Sequence, residues 1–232
     1  VLDEADRMLD MGFEESIAEI IRYLPKKRQN LLFSATYPLN IKELASKVMI
    51  RPHLVEADDQ HNENTIRQLL CQIHDKSKRT DGLVGLFQKF NPDSALVFCN
   101  TKKLTEDVAL ALRNLGFSSL ALHGDMEQKD RTKILVKFAN KSLSVLVATD
   151  VAARGLDIES LDLVVNYHLP RDPEVHTHRI GRTGRAGNKG LACSLFHESE
   201  EYKRATLEKT LRQPMDQTFG ACSQKDLTTA QA

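Results

Sequence analysis

Short apolar runs alternate with amphipathic segments along residues 65–211. The apolar runs, such as ALVFC at 95–99, are too short for buried helices, whereas the segments between them repeat apolar residues at helical spacing. Strands that alternate with helices form a parallel sheet with helices on both faces. The sequence therefore predicts an α/β fold with a doubly wound parallel sheet.

The same patterns place the individual elements. Predicted strands of this part cover 68–74, 95–99, 119–122, 145–148, 163–167 and 191–196, and predicted helices cover 81–90, 104–115, 127–138 and 200–211. A further helix begins at about Pro173, because Asp172 can cap it and proline suits the first helical position. Residues 1–57 are expected to hold a strand running into Asp3, helices at 8–24 and 41–48, and strands at 30–34 and 53–57.

Residues 58–64 (DDQHNEN) contain no apolar residue, which is typical of a linker. They divide the chain into a first domain at 1–57 and a second domain at 65–212. The tail at 213–232 is polar and aperiodic, so we expect it to be disordered or cut off.

The composition fits a globular protein of the cytoplasm. With 232 residues and 41% hydrophobic content, the chain can bury one substantial core and part of another. No apolar run is long enough to cross a bilayer, and the acidic start of the chain is unlike a signal peptide. The four cysteines lack CxxC spacing and are expected to be buried, reduced thiols.

Charge distinguishes the two domains weakly. The chain carries 32 basic and 32 acidic residues, so bulk charge would not hold a nucleic acid. Residues 1–65 have a net charge of −4 (8 basic, 12 acidic), and residues 66–232 have a net charge of +4 (24 basic, 20 acidic). Contacts with a polyanion are therefore expected to be local and to lie in the second domain.

Two glycine-containing turns of the second domain are candidates for a ligand site. The predicted strand at 145–148 runs into Thr149 and Asp150, and the chain then turns through small residues to 154–157 (RGLD). Ligands of open α/β sheets bind beyond the carboxyl ends of strands, where such turns lie.

The second turn places arginines at three-residue intervals, at 179, 182 and 185, with glycines at 181, 184 and 187. Arg182 and Arg185 would share a face if the helix continued, and the glycines indicate either a close approach to this backbone or the end of the helix. The alternative is a solvated or disordered basic segment.

Six sequence blocks occur in order along the chain: VLDEADRMLDMGF at 1–13, SAT at 34–36, LVFCNT at 96–101, HGDMEQKDR at 123–131, VATDVAARGLDI at 147–158 and HRIGRTGRAG at 178–187. Together they resemble motifs II, III, IV, IVa, V and VI of the DEAD-box ATP-dependent RNA helicases. The resemblance implies RecA-like domains, the first partial and the second complete. No GxxxxGK[ST] phosphate loop occurs in the chain, and in the family this loop precedes motif II. The missing N-terminal half of the first domain is therefore an expected partner.

The resemblance assigns ATP chemistry to the two ends of the chain. Asp3 would hold magnesium through water, and Glu4 would position the attacking water. Asp6 and His178 would touch across the cleft between the domains, and Ser34 and Thr36 would link ATP chemistry to that cleft. The structural alternatives are acidic residues at an exposed strand end and a polar turn at 34–36.

Motifs V and VI would complete the nucleotide site from the second domain. Arg182 and Arg185 resemble the arginine fingers that reach the γ-phosphate, and Arg154 would help the closed cleft. Arg179 would support the same interface, although it could instead form an ion pair within its own domain. Asp157 would meet the ribose or the interdomain network, or merely cap a turn.

RNA contacts are implied for motifs IVa and V. Gly124 lies between a strand and a helix N-terminus that suits a phosphate, and Gln128 and Arg131 match the family's QxxR. Gln128 could instead complete a capping box with Asp125. Thr149 would offer a hydroxyl to a phosphate, and Gly155 would let the backbone approach closely. Backbone contacts of this kind would be independent of RNA sequence.

The sequence as a whole thus predicts an ATP-dependent RNA helicase that uses ATP and magnesium to separate short RNA duplexes. The blocks at 96–103, 123–131 and 173–188 most resemble the bacterial DbpA group, which implies a role with ribosomal RNA and pre-ribosomal particles. The rival hypotheses are a nucleotide-independent RNA-binding or annealing module and a DNA helicase of the same superfamily.

Without a phosphate loop, the chain by itself is expected to hydrolyse ATP only at background level. A steady-state phosphate-release assay checks this expectation. Turnover comparable to that of a complete helicase would contradict it.

Overall fold

A computed structural model describes residues 1–34, 37, 39–56, 66–153, 161–184, 189–211 and 215–219. The chain divides into two compact units, Val1–Gln60 and His61–Ala232. The division falls within the segment predicted as a linker, 58–64, which lies outside the described residues. Within the described ranges, no helix has both the length and the apolar composition needed to span a membrane.

The first unit is a small helical cluster beside one parallel backbone pairing. Its helices are α1 (Ala5–Asp10), α2 (Glu14–Tyr23) and α3 (Leu39–Val48). The cluster buries apolar side chains from all three helices: Ala5, Ile17, Ile41, Leu44 and Val48.

Three expectations for the first unit were wrong in detail. The helix predicted at 8–24 is interrupted, because Gly12 adopts a φ of +76° that breaks the helical path between α1 and α2. The strand predicted at 30–34 is reduced to a bridge between Leu2 and Leu32. Residues 53–56 form no strand; they are exposed and pair with no described residue of this unit.

The second unit contains a seven-stranded parallel sheet within its described ranges, in the order β3-β4-β2-β5-β6-β1-β7. Its strands are β1 (Ile66–Gln72), β2 (Ala95–Phe98), β3 (Ser119–Leu122), β4 (Val145–Ala148), β5 (Leu163–Asn166), β6 (Gly190–Phe196) and β7 (Asp216–Phe219). Its helices are α4 (Arg79–Phe90), α5 (Lys102–Asn114), α6 (Gln128–Ala139), α7 (Asp150–Ala153), α8 (Pro173–Ile180) and α9 (Glu201–Leu211). The α/β fold with a parallel sheet is confirmed.

Helices cover both faces of this sheet. Alternate residues of the central strands enter two separate cores: Val97 and Val165 pack toward α4 and α5, whereas Leu96 and Val164 pack toward α6 and α7. Strands buried on both faces must be apolar at every position, because their side chains alternate between the two cores. The continuous apolar runs in the sequence follow from this arrangement. Cys71, Cys99 and Cys193 are buried free thiols, and burial raises the pKa of Cys99 to about 12.

Part of the tail predicted to be disordered is ordered. Residues Asp216–Phe219 pair with β1 as an added parallel strand. Met215 is 5% exposed and packs with Leu70, Phe196 and Leu207. A single methionine before a short, mostly polar segment gives little apolar periodicity. The sequence pattern therefore did not predict this strand.

Met215→Ala is expected to lower the free energy of unfolding of the second unit by about 2–3 kcal/mol, because it removes a buried side chain from this cluster. Chemical denaturation measures the change. The matched control is Met11→Ala, at a position that is 55% exposed, where a change within about 0.5 kcal/mol is expected. Equal stability of both variants would show that the tail does not pack on the sheet.

Candidate functional site

The carboxyl ends of three neighbouring strands surround one cleft. Strands β3, β4 and β2 are adjacent in the sheet, so the segments that follow them meet at one edge. The cleft has a volume of about 620 Å³. Its lining comes from all three strand ends: Asn100, Thr101, Lys102, Lys103, Gly124, Asp125, Thr149 and Val151.

Two helices begin beside this cleft. The Thr101 side chain caps α5 by accepting a hydrogen bond from the Leu104 amide at 3.2 Å, and α6 begins at Gln128, shortly after Gly124 and Asp125. The amino ends of helices carry unsatisfied amides and a partial positive charge, which favour anions. Lys102 and Lys103 add formal positive charge at the same place, although Lys102 forms an exposed ion pair with Asp125. This edge of the sheet can therefore hold a phosphate.

Gly124 leaves space in the cleft. A Cβ atom at this position would meet no atom within 4 Å, so packing does not require glycine here. A ligand backbone could approach closely at this point.

The structural alternative for Gln128 is wrong. The residue before α6 is Glu127, its side chain makes no capping hydrogen bond, and Asp125 pairs with Lys102. The Gln128 side chain is exposed at the start of α6.

Part of the Arg131 guanidinium group lacks a hydrogen-bond partner among the described residues. Its Nη2 atom lies 3.5 Å from the carbonyl oxygen of Ala152, the limit of a hydrogen bond, and its buried Nε atom has no partner among the described residues. Ala152 follows Thr149, so the contact places the Arg131 guanidinium next to the end of β4. Gly124, Arg131 and Thr149, predicted as RNA ligands, therefore belong to one edge of the second unit.

Arg179 links the ends of β2, β4 and β5 beside the cleft. Its side chain is 3% exposed, and its Nε donates to Asp150 at 2.6 Å. Its other nitrogens donate to the side chains of Asn166 at 3.0 Å and Asn100 at 3.3 Å. The ion pair within the domain, one of the two roles that the sequence left open, is present. A direct role between the domains stays a prediction.

His176 completes this buried polar layer. Its Nε2 lies 2.8 Å from the Gln68 side-chain oxygen, and its Nδ1 lies 3.4 Å from the Asn166 amide nitrogen. Burial, with a smaller contribution from Arg179, lowers the pKa of His176 to about 4. The imidazole is therefore neutral near pH 7 and serves the packing of α8 on β1 and β5.

A second buried arginine connects the carboxyl ends of β5 and β6 with Glu200. Arg79 donates to the carbonyl oxygens of Tyr167 and Leu195, at 2.7 and 2.9 Å, and to Glu200 at 2.7 Å. Burial would raise the pKa of Glu200, but the hydrogen bonds from Arg79 and Lys203 outweigh it and hold the pKa at about 2. Glu200 thus stays charged and ties the start of α9 to β5 and β6.

Residues 181–184 of the arginine-glycine segment form a turn and do not continue the helix. Helix α8 ends at Ile180, with Gly181 as its C-cap, so the helical argument for a shared face of Arg182 and Arg185 was wrong. Gly184 has a φ of +67°, and a Cβ there would lie 2.6 Å from Ile66 and 3.5 Å from the Gly190 amide. The close approach expected at these glycines is made by the chain itself.

The turn holds Arg182 beside the start of β5. The Leu161 amide donates to the Arg182 carbonyl oxygen at 3.1 Å, and Thr183 forms a parallel bridge with Leu161. The predicted site residues outside the described ranges are Thr36, Arg154, Gly155, Asp157 and Arg185.

Motif II of the first unit has a distinctive backbone. Asp3 and Glu4 are exposed, Asp6 is 6% exposed, and the Glu4 amide donates to the Asp3 carboxylate at 2.9 Å. Glu4 has a φ of +49°, which is costly for a residue with a side chain and is often found at functional sites. The described residues contain no cluster of three or more His, Cys, Asp or Glu side chains suited to a metal. Magnesium, which usually takes one or two carboxylates plus water and phosphate oxygens, still fits Asp3.

Comparison with known proteins decides the family. The family models for the DEAD/DEAH box helicase domain and the helicase conserved C-terminal domain match residues 1–44 and 75–187. Over 207 residues, the chain is 53% identical to the ATP-dependent RNA helicase DbpA of Escherichia coli K12, covering 89% of this chain and 45% of that protein. The chain belongs to the DEAD-box RNA helicases.

Solved structures of DEAD-box proteins share the fold. Saccharomyces cerevisiae Dbp5, solved with RNA and ADP BeF3, is 32% identical with a TM-score of 0.84, over 99% of this chain and 61% of that chain. The DEAD-box protein SrmB of E. coli, solved with the regulator RraA, is 32% identical with a TM-score of 0.65, over 68% of this chain and 93% of that chain. The chain spans about half the length of the curated relatives it matches. The RecA-like fold class is confirmed.

Some site residues had no assigned role before the structure. Asn100, Lys102 and Lys103 line the cleft, and the abrupt change from a buried strand to polar residues in LVFCNTKK was the available signal. Asn166 is different: it lies at the end of an apolar run, and only its contacts with Arg179 and His176 reveal its part in the site.

Arg179→Met should lower the free energy of unfolding of the second unit by about 3–5 kcal/mol, because it leaves Asp150 partly buried without its cation. Chemical denaturation of the whole chain measures this loss. The control is Arg204→Met on α9, whose ion pairs with Glu201 and Glu208 are more exposed and worth about 1 kcal/mol or less. A loss no larger than that of the control would argue against the linking role of Arg179.

Proposed function

We propose that this chain contributes an RNA-binding surface and the catalytic arginines of an ATP-dependent RNA helicase. The observation that carries the proposal is the cleft at the ends of β2, β3 and β4, where Gly124, Thr149 and Arg131 meet two helix amino ends. These groups suit phosphates. Contacts with the sugar-phosphate backbone position a strand without reading its sequence.

In this proposal, the nucleotide is bound by groups from both units. Asp3 would hold magnesium, which supplies charge neutralisation for the phosphates when bound, and Glu4 would orient the attacking water. Arg182 and Arg185 would stabilise the charge that develops on the transferred phosphoryl group. Such arginines contribute roughly 10³–10⁵ in rate.

The remaining predicted residues would couple the two activities. His178 and Asp6, with Ser34 and Thr36, would transmit the state of the nucleotide between the units. Arg154, Gly155 and Asp157 would do the same from the turn after β4. Support for these roles comes from their motif positions.

The first unit would be completed by further chain. Its exposed apolar side chains Val1, Ile20, Leu24 and Leu31 line one groove together with the bridged residues Leu2 and Leu32. Clustered exposed apolar surface indicates a missing packing partner. We infer that this partner is the N-terminal half of the first RecA-like domain.

The identity with DbpA supports a role with ribosomal RNA. The level of 53% over 89% of this chain is the basis for this part of the proposal, which extends to pre-ribosomal particles as the physiological substrate. A cytoplasmic location follows from the same proposal.

Gly124→Val is expected to weaken the binding of single-stranded RNA at least tenfold, because its side chain would fill the space left for the strand. Fluorescence anisotropy with matched RNA and DNA oligonucleotides measures the effect and the preference for RNA. The melting temperature should change little, since nothing lies within 4 Å of an added Cβ. Unchanged RNA binding would contradict the assignment of the cleft.

Arg182→Ala in the complete protein is expected to reduce ATP turnover at least 10³-fold while ATP binding changes little, because the guanidinium acts on charge that develops during reaction. Steady-state turnover and nucleotide titration measure the two quantities separately. Arg171→Ala, at an exposed position, is the control. A normal turnover number for the Arg182 variant would contradict the role of Arg182 as an arginine finger.

A further inference from the structure

Helix α6 carries a row of lysines on its solvent face. Lys129, Lys133 and Lys137 lie four residues apart, so they occupy neighbouring turns of one side of the helix. All three are exposed, and exposed Lys141 follows just after the helix ends. On an α-helix, the three helical lysines span about 12 Å.

The segment that contains this row carries a net charge equal to that of residues 66–232. Residues 128–141 contain five basic residues and one acidic residue, a net charge of +4. Residues 66–232 also have a net charge of +4 (24 basic, 20 acidic). The positive surplus is therefore concentrated in one helix and its C-terminal turn.

The lysines of α6 are mostly without carboxylate partners. Lys133 pairs with Asp130 at 3.0 Å, but Lys129 and Lys137 form no ion pair with any residue that the structure describes. Helix α9 shows the usual alternative, since Lys203 and Arg204 both pair with glutamates three or four residues away. Like charges four residues apart destabilise a helix, so the lysine row lowers the stability of α6. A bound polyanion would offset this repulsion.

The row begins where the cleft ends. Gly124 and Asp125 line the cleft, and Lys129 follows Asp125 by four residues, in the first turn of α6. Acidic Glu127 and Asp130 also face solvent in this first turn, and Asp130 offsets the charge of Lys133, its ion-pair partner. A polyanion leaving the cleft at α6 would meet the lysines in succession.

We propose that the lysine row of α6 (Lys129, Lys133 and Lys137) is a second phosphate-binding surface, which holds the RNA segment that flanks the strand in the cleft. This inference rests on the proposed function of the cleft as an RNA site. The row binds by charge alone, so it adds affinity for longer RNA and no sequence preference.

The test compares two RNA lengths with the 232-residue chain. Fluorescence anisotropy is measured for a 6-nucleotide and a 20-nucleotide single strand at several salt concentrations, with Lys129→Gln/Lys137→Gln and with Lys209→Gln. Lys209 is an exposed lysine of α9, and α9 packs over β1 and β6 at the far end of the sheet. For the double variant, we expect about tenfold weaker binding of the long RNA at low salt and a salt slope reduced by about 1.4, as for two lost phosphate contacts. Its affinity for the short RNA and that of Lys209→Gln for both RNAs should stay within twofold of the parent chain.

Each outcome separates the two proposals. If Gly124→Val loses both RNAs while the double variant loses only the long one, both proposals hold. If the double variant matches Lys209→Gln on the long RNA, the lysine row is overturned and the cleft stands. If the parent chain binds neither RNA, both proposals fail.

Discussion

The guanidinium of Arg179 is the contact on which the functional edge of the second unit depends. It joins Asp150 after β4, Asn166 at the end of β5 and Asn100 after β2, which are segments far apart in sequence. A buried cation of this kind is stable only with every partner in place, because each unpaired charge or amide would carry a desolvation cost. The positions of the cleft-lining residues thus depend on one side chain that does not line the cleft.

The parallel sheet explains why so many elements were predictable. Strands β2, β4 and β5 are buried on both faces, so their sequences are apolar at every position and stand out from the helices between them. The strands at 119–122 and 145–148 were predicted to the residue. Asp172 and Pro173 likewise marked the start of α8, because capping depends on local chemistry; the Asp172 carboxylate accepts the Glu174 amide at 2.9 Å.

Predictions failed where distant contacts or backbone angles decide the structure. No local pattern shows that Gly12 breaks a helix, since the apolar spacing continues across it. Met215 packs against Leu70, Phe196 and Leu207. The polar sequence around Met215 does not indicate these contacts. The cleft itself was predictable only in part: motif resemblance pointed to Gly124, Arg131 and Thr149, while the Arg179 network required the adjacency of β4, β2 and β5.

Helix α8 is eight residues long and ends at Ile180, so Arg179 and Arg182 lie three residues apart at the same end of it. Arg179, near its last turn, extends its side chain toward the carboxyl edge, while Arg182 lies beside Leu161 ahead of β5. A Cβ atom at Gly184, two residues after Arg182, would lie 2.6 Å from Ile66 and 3.5 Å from the Gly190 amide, so the chain packs closely against the starts of β1 and β6 at this point. A displacement of the Arg182 turn would therefore act on Asn100 and Asp150 through Arg179, which lies only three residues away along the chain.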